Sequence, residues 1–457
     1  MIKLNLYNTL QRRLSIFQPI DTQNVRIYAC GPTVYDFIHI GNARPLVVFD
    51  VLVRLLRIIY PKVTYVRNIT DIDDKINKRA IEKKINISEL TNETIKNFHK
   101  DAHALGNLKP DFEPKATDHI SEMIEMIETL ISNGFAYVSS GNVLFAVEKY
   151  NNYGALSGRS LDEMISGSRV EVAEYKKNPG DFILWKPSSE KLPGWDSPWG
   201  RGRPGWHIEC SAMSKKYLGT QFDIHAGGLD LIFPHHENEI AQSCCANKSD
   251  IMANYWLHNG YVTSDGEKMS KSLGNFATIN SLLLNFRGEA IRYALMQAQY
   301  RAPLSFSKKS LDEATKSLSR LYRAVEGFEV NDGQDNQIID NLCDDLNSPK
   351  VFARLHYLAD EANKGSKECA QKLKNSSNIL GILCNSTDEW FKFGEINSNE
   401  SKENSSITEK EIDELIIKRK IAKENKEYEK ADQIREQLLE KNIQLEDKQD
   451  RTVWRRL

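Results

Sequence analysis

The chain has 457 residues, enough for two to four domains, and its 40% hydrophobic and 27% charged content is ordinary for a globular protein. A net charge of −2 excludes a global attraction to phosphate, so any nucleic-acid contact has to come from local basic patches. Seven scattered cysteines exclude a regular disulfide framework and indicate thiols that stay free or bind metal in a reducing compartment.

Neither the amino terminus nor the most apolar run has the pattern of a targeting or membrane segment. Charged and polar residues such as Lys3 interrupt the first residues. The most apolar run, at 46–60, contains Asp50, Arg54 and Arg57, and it is too short and too charged to span a bilayer. We therefore expect a cytoplasmic protein with no membrane partner.

Residues 1–112 alternate short apolar strands with segments of helical periodicity. In order, the predicted elements are a strand at 25–29, a helix at 43–59, a strand at 63–69 and a helix at 71–85. This β–α–β order predicts an α/β fold with a doubly wound parallel sheet, whose site lies at the carboxyl ends of the strands. Cys30 and Thr70 would both lie at such ends. We expect residues 1–112 to form the first half of a Rossmann-like domain.

Residues 113–205 have the pattern of an insertion into that domain. The predicted elements are a helix at 119–132, a β-hairpin at 135–147, and a long loop at 186–205 rich in proline, glycine and tryptophan. The α/β pattern resumes at Trp206, and we expect residues 206–275 to be the second half of the Rossmann-like domain.

The rest of the chain is predicted to be mainly helical. Its segments, in order, are a helical stem and bundle at 276–394 with helices at 310–325 and 340–361, a polar linker at 395–406, and a small C-terminal unit at 407–457. The C-terminal unit opens on a Thr408-x-x-Glu411 capping box, which predicts a helix start at that point.

The segment at 28–44 joins the first strand to the first helix through a tight glycine-proline corner. It places a thiol, Cys30, and an imidazole, His39, beside the backbone N–H groups of a helix start, where phosphates bind readily. Taken alone, the segment favours a structural interpretation, in which a buried cysteine and a surface histidine sit at a strand–loop–helix joint. Partners supplied later in the chain change that interpretation.

His235 and Glu239 are four residues apart, so a helix would bring both side chains to one face. Two ligands placed in this way need partners from elsewhere, and Cys30 and Cys210 are available. Together the four side chains would supply two thiolates, one imidazole and one carboxylate, a donor set that suits tetrahedral zinc.

Other interpretations of this region stay open. His236 and Glu237 could replace His235 and Glu239 as donors, and a lone His-x-x-x-Glu pair is common on solvated helix faces. The adjacent Cys244 and Cys245 are interpreted as packing residues, because neighbouring residues rarely bind one ion.

Residues 265–275 form a glycine-flanked loop with two lysines, Lys268 and Lys271, and two small hydroxyl side chains. Lysine is a mobile point charge suited to polyphosphate, and such a loop can close on a nucleotide when one is bound. A bare Lys-x-x-Lys pair would indicate only a basic surface turn. The full string Lys268-Met-Ser-Lys-Ser272 is far more specific.

At these positions the chain resembles the class I aminoacyl-tRNA synthetases, and among them the cysteinyl-tRNA synthetase family. His39-Ile-Gly-Asn42 is similar to the class signature HIGH, and the string at 268–272 equals its partner KMSKS. The strings that resemble the cysteine-specific family in particular lie at 28–35, 67–74, 206–211, 233–243 and 453–456. The resemblance runs almost end to end, and it favours the four-residue zinc set.

One position departs from the family pattern. Asn42 stands where the common signature has a histidine. Asparagine can still donate a hydrogen bond to a phosphate oxygen, but it cannot carry charge. His39, Lys268 and Lys271 then remain as the cationic contributors.

The resemblance implies ATP-dependent ligation of L-cysteine to its cognate tRNA through a cysteinyl-adenylate, with zinc selecting the substrate thiol. It implies a monomer with ATP, L-cysteine and tRNA(Cys) as partners, one zinc ion per chain, Mg²⁺ with ATP, and an anticodon-binding unit at the C-terminus. The implied roles are catalysis for His39, Lys268 and Lys271; nucleotide binding for Gly41, Asn42 and Lys271; amino-acid binding for Thr70, Trp206 and His225; and metal binding for Cys30, Cys210, His235 and Glu239.

Charge alone does not call for RNA at the C-terminus, since residues 407–457 hold 13 basic and 13 acidic side chains. Trp454, flanked by Arg455 and Arg456, would suit stacking on an unpaired base, and a solvated charged helix with a tail is the structural alternative.

Two other functions stay open. A ligase that passes cysteine to a small amine would lack this C-terminal unit, and a non-catalytic zinc-containing RNA-binding protein would not need two lysines in a loop.

Overall fold

The computed structural model describes residues 3–160, 163, 173–264, 267–268, 277–392, 407–441, 443–447 and 452–456. The chain divides into two compact units. The first unit comprises Met1–Ile279, Leu295–Ser307 and Asn336–Arg354, and the second comprises Asn280–Ala294, Lys308–Asp335 and Leu355–Leu457. Across the described ranges, none of the helices has both the length and the apolar character that crossing a bilayer requires.

The strands, in chain order, are β1 Asn5–Asn8, β2 Arg13–Ile16, β3 Val25–Ala29, β4 Val63–Arg67, β5 Ala136–Ser139, β6 Asn142–Phe145, β7 Phe182–Pro187, β8 Gly202–Pro204, β9 Phe222–Gly228, β10 Ala253–Asn259, β11 Val262–Ser264, β12 Glu267–Lys268, β13 Leu304–Ser305, β14 Ile443–Asp447 and β15 Thr452–Arg456. The α-helices are α1 Ile40–Ile59, α2 Asp74–Lys83, α3 Ile87–Ala104, α4 Ile120–Ser132, α5 Trp206–Leu218, α6 Glu237–Asn247, α7 Ile279–Leu282, α8 Gly288–Leu295, α9 Lys308–Ala324, α10 Asn336–Cys343, α11 Ser348–Asn363, α12 Lys367–Ser377, α13 Thr387–Lys392, α14 Glu409–Glu424 and α15 Tyr428–Glu440.

A four-stranded parallel sheet forms the centre of the first unit, with the strand order β10-β9-β3-β4. His225 of β9 is paired with Tyr28 of β3 on one side and with Trp256 of β10 on the other. Helices α1 and α5 pack against the sheet, and every residue of β4 is buried. The predicted α/β architecture is confirmed, and the carboxyl ends of the four strands lie at one edge, where sites form in such sheets.

Helix α1 begins three residues earlier than predicted. His39 precedes its first residue, and the Nδ1 atom of His39 accepts a hydrogen bond from the backbone N–H of Gly41 at 3.0 Å. This contact satisfies one of the backbone donors that a helix start leaves unpaired, so the helix can begin at the signature itself. One apolar stripe of this helix is buried, at Leu46, Phe49, Val53 and Leu56.

Residues 113–205, which the sequence predicts to be an insertion, contain an antiparallel sheet with the strand order β5-β6-β7-β8. Helix α4 and hairpin β5–β6 lie where the sequence predicts them. The run at 186–205 is not loop throughout, because its two ends belong to β7 and β8. Lys186 pairs with Arg203 there, and Trp195 forms a further bridge with Gly202, so the run folds back on itself.

The single helix predicted at 340–361 is wrong, because the chain forms α10 and α11 with a break between them. Asp345 and Leu346 have φ angles of 54° and 52°, which no α-helix accommodates. The Asp345 carboxylate accepts hydrogen bonds from the backbone N–H of Tyr7 at 2.8 Å and from the Tyr300 hydroxyl at 3.1 Å. These distant partners stabilise the break, and they leave no signal in the local hydrophobic periodicity.

The C-terminal part of the second unit consists of α14, α15 and the antiparallel hairpin β14–β15. The capping box is confirmed, since the Thr408 side chain accepts from the N–H of Glu411 and the Glu411 carboxylate accepts from the N–H of Thr408. Trp454 is only 4% exposed, and its indole N–H donates to the Asp413 carboxylate at 3.0 Å. A ring buried in this way cannot stack on a base, so the interpretation of Trp454 as a base-stacking platform is corrected to a packing role. The predicted linker at 395–406 lies outside the described residues.

The side chain of Asp447, in β14, links this hairpin to helix α14 and contributes to the stability of the hairpin. Its carboxylate accepts two hydrogen bonds from the buried Arg419 guanidinium, at 2.7 and 2.9 Å, and others from Lys423 and Thr452. Arg419 in particular lowers the pKa of Asp447 well below its ordinary value. We expect Asp447→Asn to destabilise the hairpin by roughly 1–2 kcal/mol, a modest figure because nearly half of this side chain is exposed.

The sign of the pH dependence follows from the lowered pKa. The unfolded chain binds a proton at about pH 3.9, before the folded state does, so the wild-type contribution is complete above that pH and is lost as the pH falls further. Amide hydrogen exchange of residues 443–447 and 452–456, followed as a function of pH, measures this contribution to the stability of the hairpin. The exposed Asp432→Asn on α15 controls for charge removal. Equal protection in wild type and Asp447→Asn would contradict this assignment.

Candidate metal centre and nucleotide cavity

Cys30 immediately follows β3, and its position depends on the glycine after it. The backbone N–H of Cys30 donates to the carbonyl of Ala226 on β9, which carries the sheet pairing one residue past the strand. The N–H of Gly31 donates to the Asn68 side chain at 2.8 Å. A Cβ atom at Gly31 would lie 1.6 Å from the Asn68 carbonyl oxygen, so only glycine lets the chain pass here.

We expect Gly31→Ala to destabilise the first unit by about 3 kcal/mol, because two backbone segments would have to separate to admit the methyl group. Urea unfolding followed by tryptophan fluorescence measures the loss. Gly134→Ala is the matched control, since its φ is +82° but no atom lies within 4 Å of the added carbon, so it carries backbone strain without collision. A Gly31 variant no less stable than the Gly134 variant would contradict the close approach.

Four predicted metal-binding side chains converge beside Cys30. One donor atom from each of Cys30, Cys210, His235 and Glu239 lies within 4.8 Å of the other three. The Cys30 and Cys210 sulfurs are 3.8 Å apart, and Glu239 Oε1 lies 3.6 Å from Cys30 Sγ and 3.0 Å from His235 Nε2. Cys30 follows β3, Cys210 lies in α5, His235 precedes α6 and Glu239 lies in its first turn, and these four donors meet at the carboxyl edge of the sheet.

The local environment fits a cation. Burial raises the pKa of the Cys30 thiol and of the Glu239 carboxyl well above their ordinary values, because no positive charge compensates them in the interior. Burial also lowers the pKa of His235 well below its ordinary value, so its imidazole is neutral and able to act as a ligand. Glu239 Oε2 is buried with His225 Nε2 at 3.4 Å, and it accepts no well-formed hydrogen bond among the described residues. A divalent ion would supply the missing positive charge and partner.

A second donor set shares Cys30 and Glu239 and adds His225 and His236. The Nε2 atoms of His225 and His236 lie 3.5 and 3.3 Å from Cys30 Sγ. His236 therefore stays an alternative donor, as the sequence left it. Glu237 does not, because its carboxylate accepts from the backbone N–H groups of Gly154 at 3.0 Å and Ser157 at 2.8 Å and so faces another segment.

The protonation of the His225 ring distinguishes the two sets. His225 Nδ1 is buried, and no hydrogen-bond partner for it occurs in the described part of the chain. His225 Nε2 lies 3.5 Å from Cys30 Sγ and 3.4 Å from Glu239 Oε2. A proton on Nε2 would be donated to one of these atoms, whereas an unprotonated Nε2 could act as a ligand.

His235 is held by His207, which the sequence argument missed, and by Trp206, for which the sequence predicted a role in amino-acid binding. Its Nδ1 atom lies 2.9 Å from His207 Nδ1, which directs Nε2 towards Glu239, and its ring stacks on Trp206 at 4.0 Å between centroids. Both partners lie at the start of α5, in the string that also contains Cys210. The only sequence signal for His207 was its place next to Trp206.

The predicted amino-acid pocket is rearranged in one respect. Trp206 lines the cavity beside the donor cluster, and His225 lies within that cluster. Thr70 is 1% exposed, and its hydroxyl donates to the buried Glu209 carboxylate at 3.1 Å. Thr70 is not among the residues that line the cavity, and its partner is the buried Glu209.

A cavity of about 310 Å³ adjoins the donor cluster and extends along the start of α1. Cys30, Trp206, His39, Gly41 and Asn42 line it, together with the segment at 259–262 after β10. Because His39 Nδ1 accepts the Gly41 N–H, the neutral ring carries its proton on Nε2, a suitable donor to an anion. The cavity therefore has Cys30 of the donor cluster at one end and a helix start at the other.

Several predicted residues fall partly or wholly outside the described structure. The backbone of Lys268 is in β12, paired with Thr263 of β11. Lys271 lies outside the described residues, as do the side chains of Arg455 and Arg456. Cys244 and Cys245 are buried in the main hydrophobic core, which confirms that they are packing residues.

Comparison with known proteins gives one consistent result. Residues 16–316 match the family described as tRNA synthetases class I (C) catalytic domain. The chain is 50% identical over 462 residues to Cysteine–tRNA ligase of Rhodospirillum rubrum and 52% identical over 464 residues to that of Paramagnetospirillum magneticum, with 99% of each chain covered in both cases. A solved structure of Mycobacterium tuberculosis methionyl-tRNA synthetase with methionyl-adenylate is similar in fold, with a TM-score of 0.57 and 14% identity over 78% of this chain and 89% of that one.

Proposed function

The chain belongs to the cysteine–tRNA ligases, class I aminoacyl-tRNA synthetases that charge tRNA with cysteine, and from this membership we propose the steps and residues by which it does so. Cysteine's carboxylate attacks the α-phosphorus of ATP, giving cysteinyl-adenylate and pyrophosphate. The terminal adenosine of tRNA(Cys) then attacks the adenylate carbonyl and releases AMP. The observation that carries this assignment is the convergence of two thiols, an imidazole and a carboxylate beside a cavity that also contains the signature helix start.

In the first step, negative charge accumulates on the α-phosphate and on the leaving pyrophosphate. Stabilising it requires donors and cations that are already in place, and little covalent chemistry is left to the protein. We assign His39 and the backbone of Gly41 and Asn42 to one side of the phosphates, and Lys268 and Lys271 to the other. Mg²⁺ is expected to accompany ATP. The lining of the cavity by the first three residues supports this assignment.

We assign Cys30, Cys210, His235 and Glu239 as ligands of one zinc ion per chain, since two thiolates with an imidazole are a donor set that zinc favours. When bound, zinc would supply an affinity for the substrate sulfur as thiolate, which the hydroxyl of serine cannot match. Cysteine and serine differ by one atom, a difference that shape alone discriminates poorly. Glu239 is the one hard oxygen donor of the set, so it is the ligand that a substrate thiolate would displace most easily.

Residues 407–457 are assigned to tRNA, as the anticodon-recognition unit. Arg419 and Lys423 already pair with Asp447, and Trp454 is buried, so the contacts fall to other side chains. Lys418 and Lys420 are exposed on α14 and are the described candidates. The protein acts as a monomer in this proposal, because one chain supplies every donor of the metal centre and every wall of the cavity.

Pyrophosphate exchange across the common amino acids, followed by charging of purified tRNA, tests the proposal. We expect exchange with cysteine alone and transfer to tRNA(Cys). Exchange without transfer to any tRNA would favour the ligase with a small amine acceptor. Zinc and RNA binding without exchange would favour the non-catalytic alternative.

A further inference from the structure

Arg44, in the second turn of α1, is fully buried and makes no ion pair among the described residues. Its Nη1 atom donates to two backbone carbonyls, those of Gly260 at 2.9 Å and Tyr261 at 3.0 Å, and its Nη2 atom donates to that of Gln299 at 3.3 Å. Burial lowers the pKa of Arg44 to about 10, so the guanidinium stays charged at neutral pH. Burying a charge without a carboxylate is costly, and simple packing does not call for it.

The segment that Arg44 holds is fixed from its other side as well. The N–H of Gly260 donates to the carbonyl of Tyr300 at 2.8 Å, and the carbonyl of Tyr261 also accepts from the N–H of Leu304 at 2.9 Å. A Cβ atom at Gly260 would lie 2.5 Å from the carbonyl oxygen of Ala302, so no side chain fits there. Residues 260–261 therefore lie between Arg44 and the segment at 299–304, with little freedom to shift.

This segment is the start of the strand pair that carries Lys268. Tyr261 immediately precedes β11, and β11 pairs with β12, whose last residue is Lys268. Residues 259–262 also form a wall of the cavity that Gly41 and Asn42 line. One side chain thus bonds the signature helix directly to the base of the strand pair.

The chain after residues 269–276 is bonded to the same part of α1. The N–H of Ile40 donates to the carbonyl of Ala277 at 3.0 Å, and the N–H of Ile279 donates to the carbonyl of Ile38 at 2.9 Å. Residues on both sides of the lysine-bearing stretch therefore contact the segment at 38–44. The first of these two attachments depends on a side chain, and the two hydrogen bonds given for the second join backbone atoms.

We propose that Arg44 is a positioning residue for cysteine activation, which sets the base of the β11–β12 pair relative to the phosphate-facing turn at 39–42. This inference rests on the proposed function, in which His39 and Lys268 act on the same phosphates. Donors that stabilise a transition state must be in place before the reaction, and misplacement by about 1 Å can lower a rate about a hundredfold. A lysine at this position could reach one carbonyl, whereas the arginine fork reaches three.

The test compares Arg44→Lys and Arg44→Met with wild type in cysteine-dependent pyrophosphate exchange, with rates expressed per active site by burst titration. We expect kcat to fall about tenfold in Arg44→Lys and about a hundredfold in Arg44→Met, with the KM for cysteine unchanged within twofold. Arg292→Lys is the matched control, because Arg292 is also fully buried and donates to a backbone carbonyl, that of Leu380 in the second unit. It should lower the melting temperature without changing kcat.

A double-mutant cycle with Lys268→Ala separates positioning from a general structural role. If Arg44 acts through the strand pair, Arg44→Lys should have a clearly smaller effect on kcat when Lys268 is already absent. Effects that multiply, or variants with a lower melting temperature but unchanged kcat per active site, would overturn the proposal. A wild-type protein without cysteine-dependent exchange would instead refute the proposed function, so the two failures are distinguishable.

Discussion

Replacing Cys210 with serine is expected to release the bound metal and to raise the KM for cysteine about a hundredfold, while the affinity for ATP changes less than twofold. Cys210 supplies one of two thiols in the donor set, 3.8 Å from Cys30. A serine hydroxyl stays protonated at neutral pH, so it cannot replace a thiolate as a ligand of a soft-leaning cation. Cys210 does not line the nucleotide cavity, and the exchange removes little volume, so the ATP site should survive. Elemental analysis and pyrophosphate exchange on the same preparation measure both effects.

Cys245→Ser is the matched control, because Cys245 is equally buried in the same core but belongs to neither donor set. It should keep its metal and its KM for cysteine. Unchanged metal content in Cys210→Ser would refute the assigned ligand set. If His236→Asn lost the metal while Cys210→Ser kept it, the second set, with His225 and His236, would be the true one.

The central sheet could be predicted because its signals are local. Strand β3 has the predicted bounds, and an apolar strand buried on both faces has few other interpretations. The break between α10 and α11 could not be predicted, because Asp345 depends on Tyr7 and Tyr300, which are remote in sequence. The early start of α1 depends on the orientation of a single imidazole ring, that of His39. Periodicity identifies which segments are helical, whereas individual hydrogen bonds decide where they end.

The metal donors could be named from the sequence because their chemistry restricts the choice, but their surroundings could not. Spacing identifies only the pair His235 and Glu239, and the two cysteines join it through donor chemistry and resemblance. The contact of His207 with His235 exists only in the folded chain. Trp454 shows the opposite error, since its arginine neighbours suggested an exposed ring that the fold in fact buries against Asp413. Sequence reasoning is weakest where exposure decides the role.

Removing the lysine side chain at position 271 is expected to slow cysteinyl-adenylate formation about 10²- to 10³-fold, with the KM for cysteine little changed. The proposed function gives Lys271 a charge that matters most as pyrophosphate leaves, so its loss should lower kcat more than it weakens ground-state binding. Lys271→Arg keeps the charge with a different geometry and should recover part of the rate. Single-turnover formation of the adenylate from ATP and cysteine measures the chemical step directly.

The control is Lys309→Ala, which removes an exposed lysine from α9 in the second unit and should leave the rate unchanged. The strand pair before this loop gives a structural basis for the expected loss of rate. Strand β12 ends at Lys268 and pairs with β11, which follows the cavity wall at 259–262, and Gly41 and Asn42 line the same cavity. If Lys271→Ala formed the adenylate at the wild-type rate, the phosphates would have to be stabilised by His39, Lys268 and Mg²⁺ alone. The proposal that cysteine binding depends on the metal would be unaffected, but the lysine-bearing loop would have no part in activation.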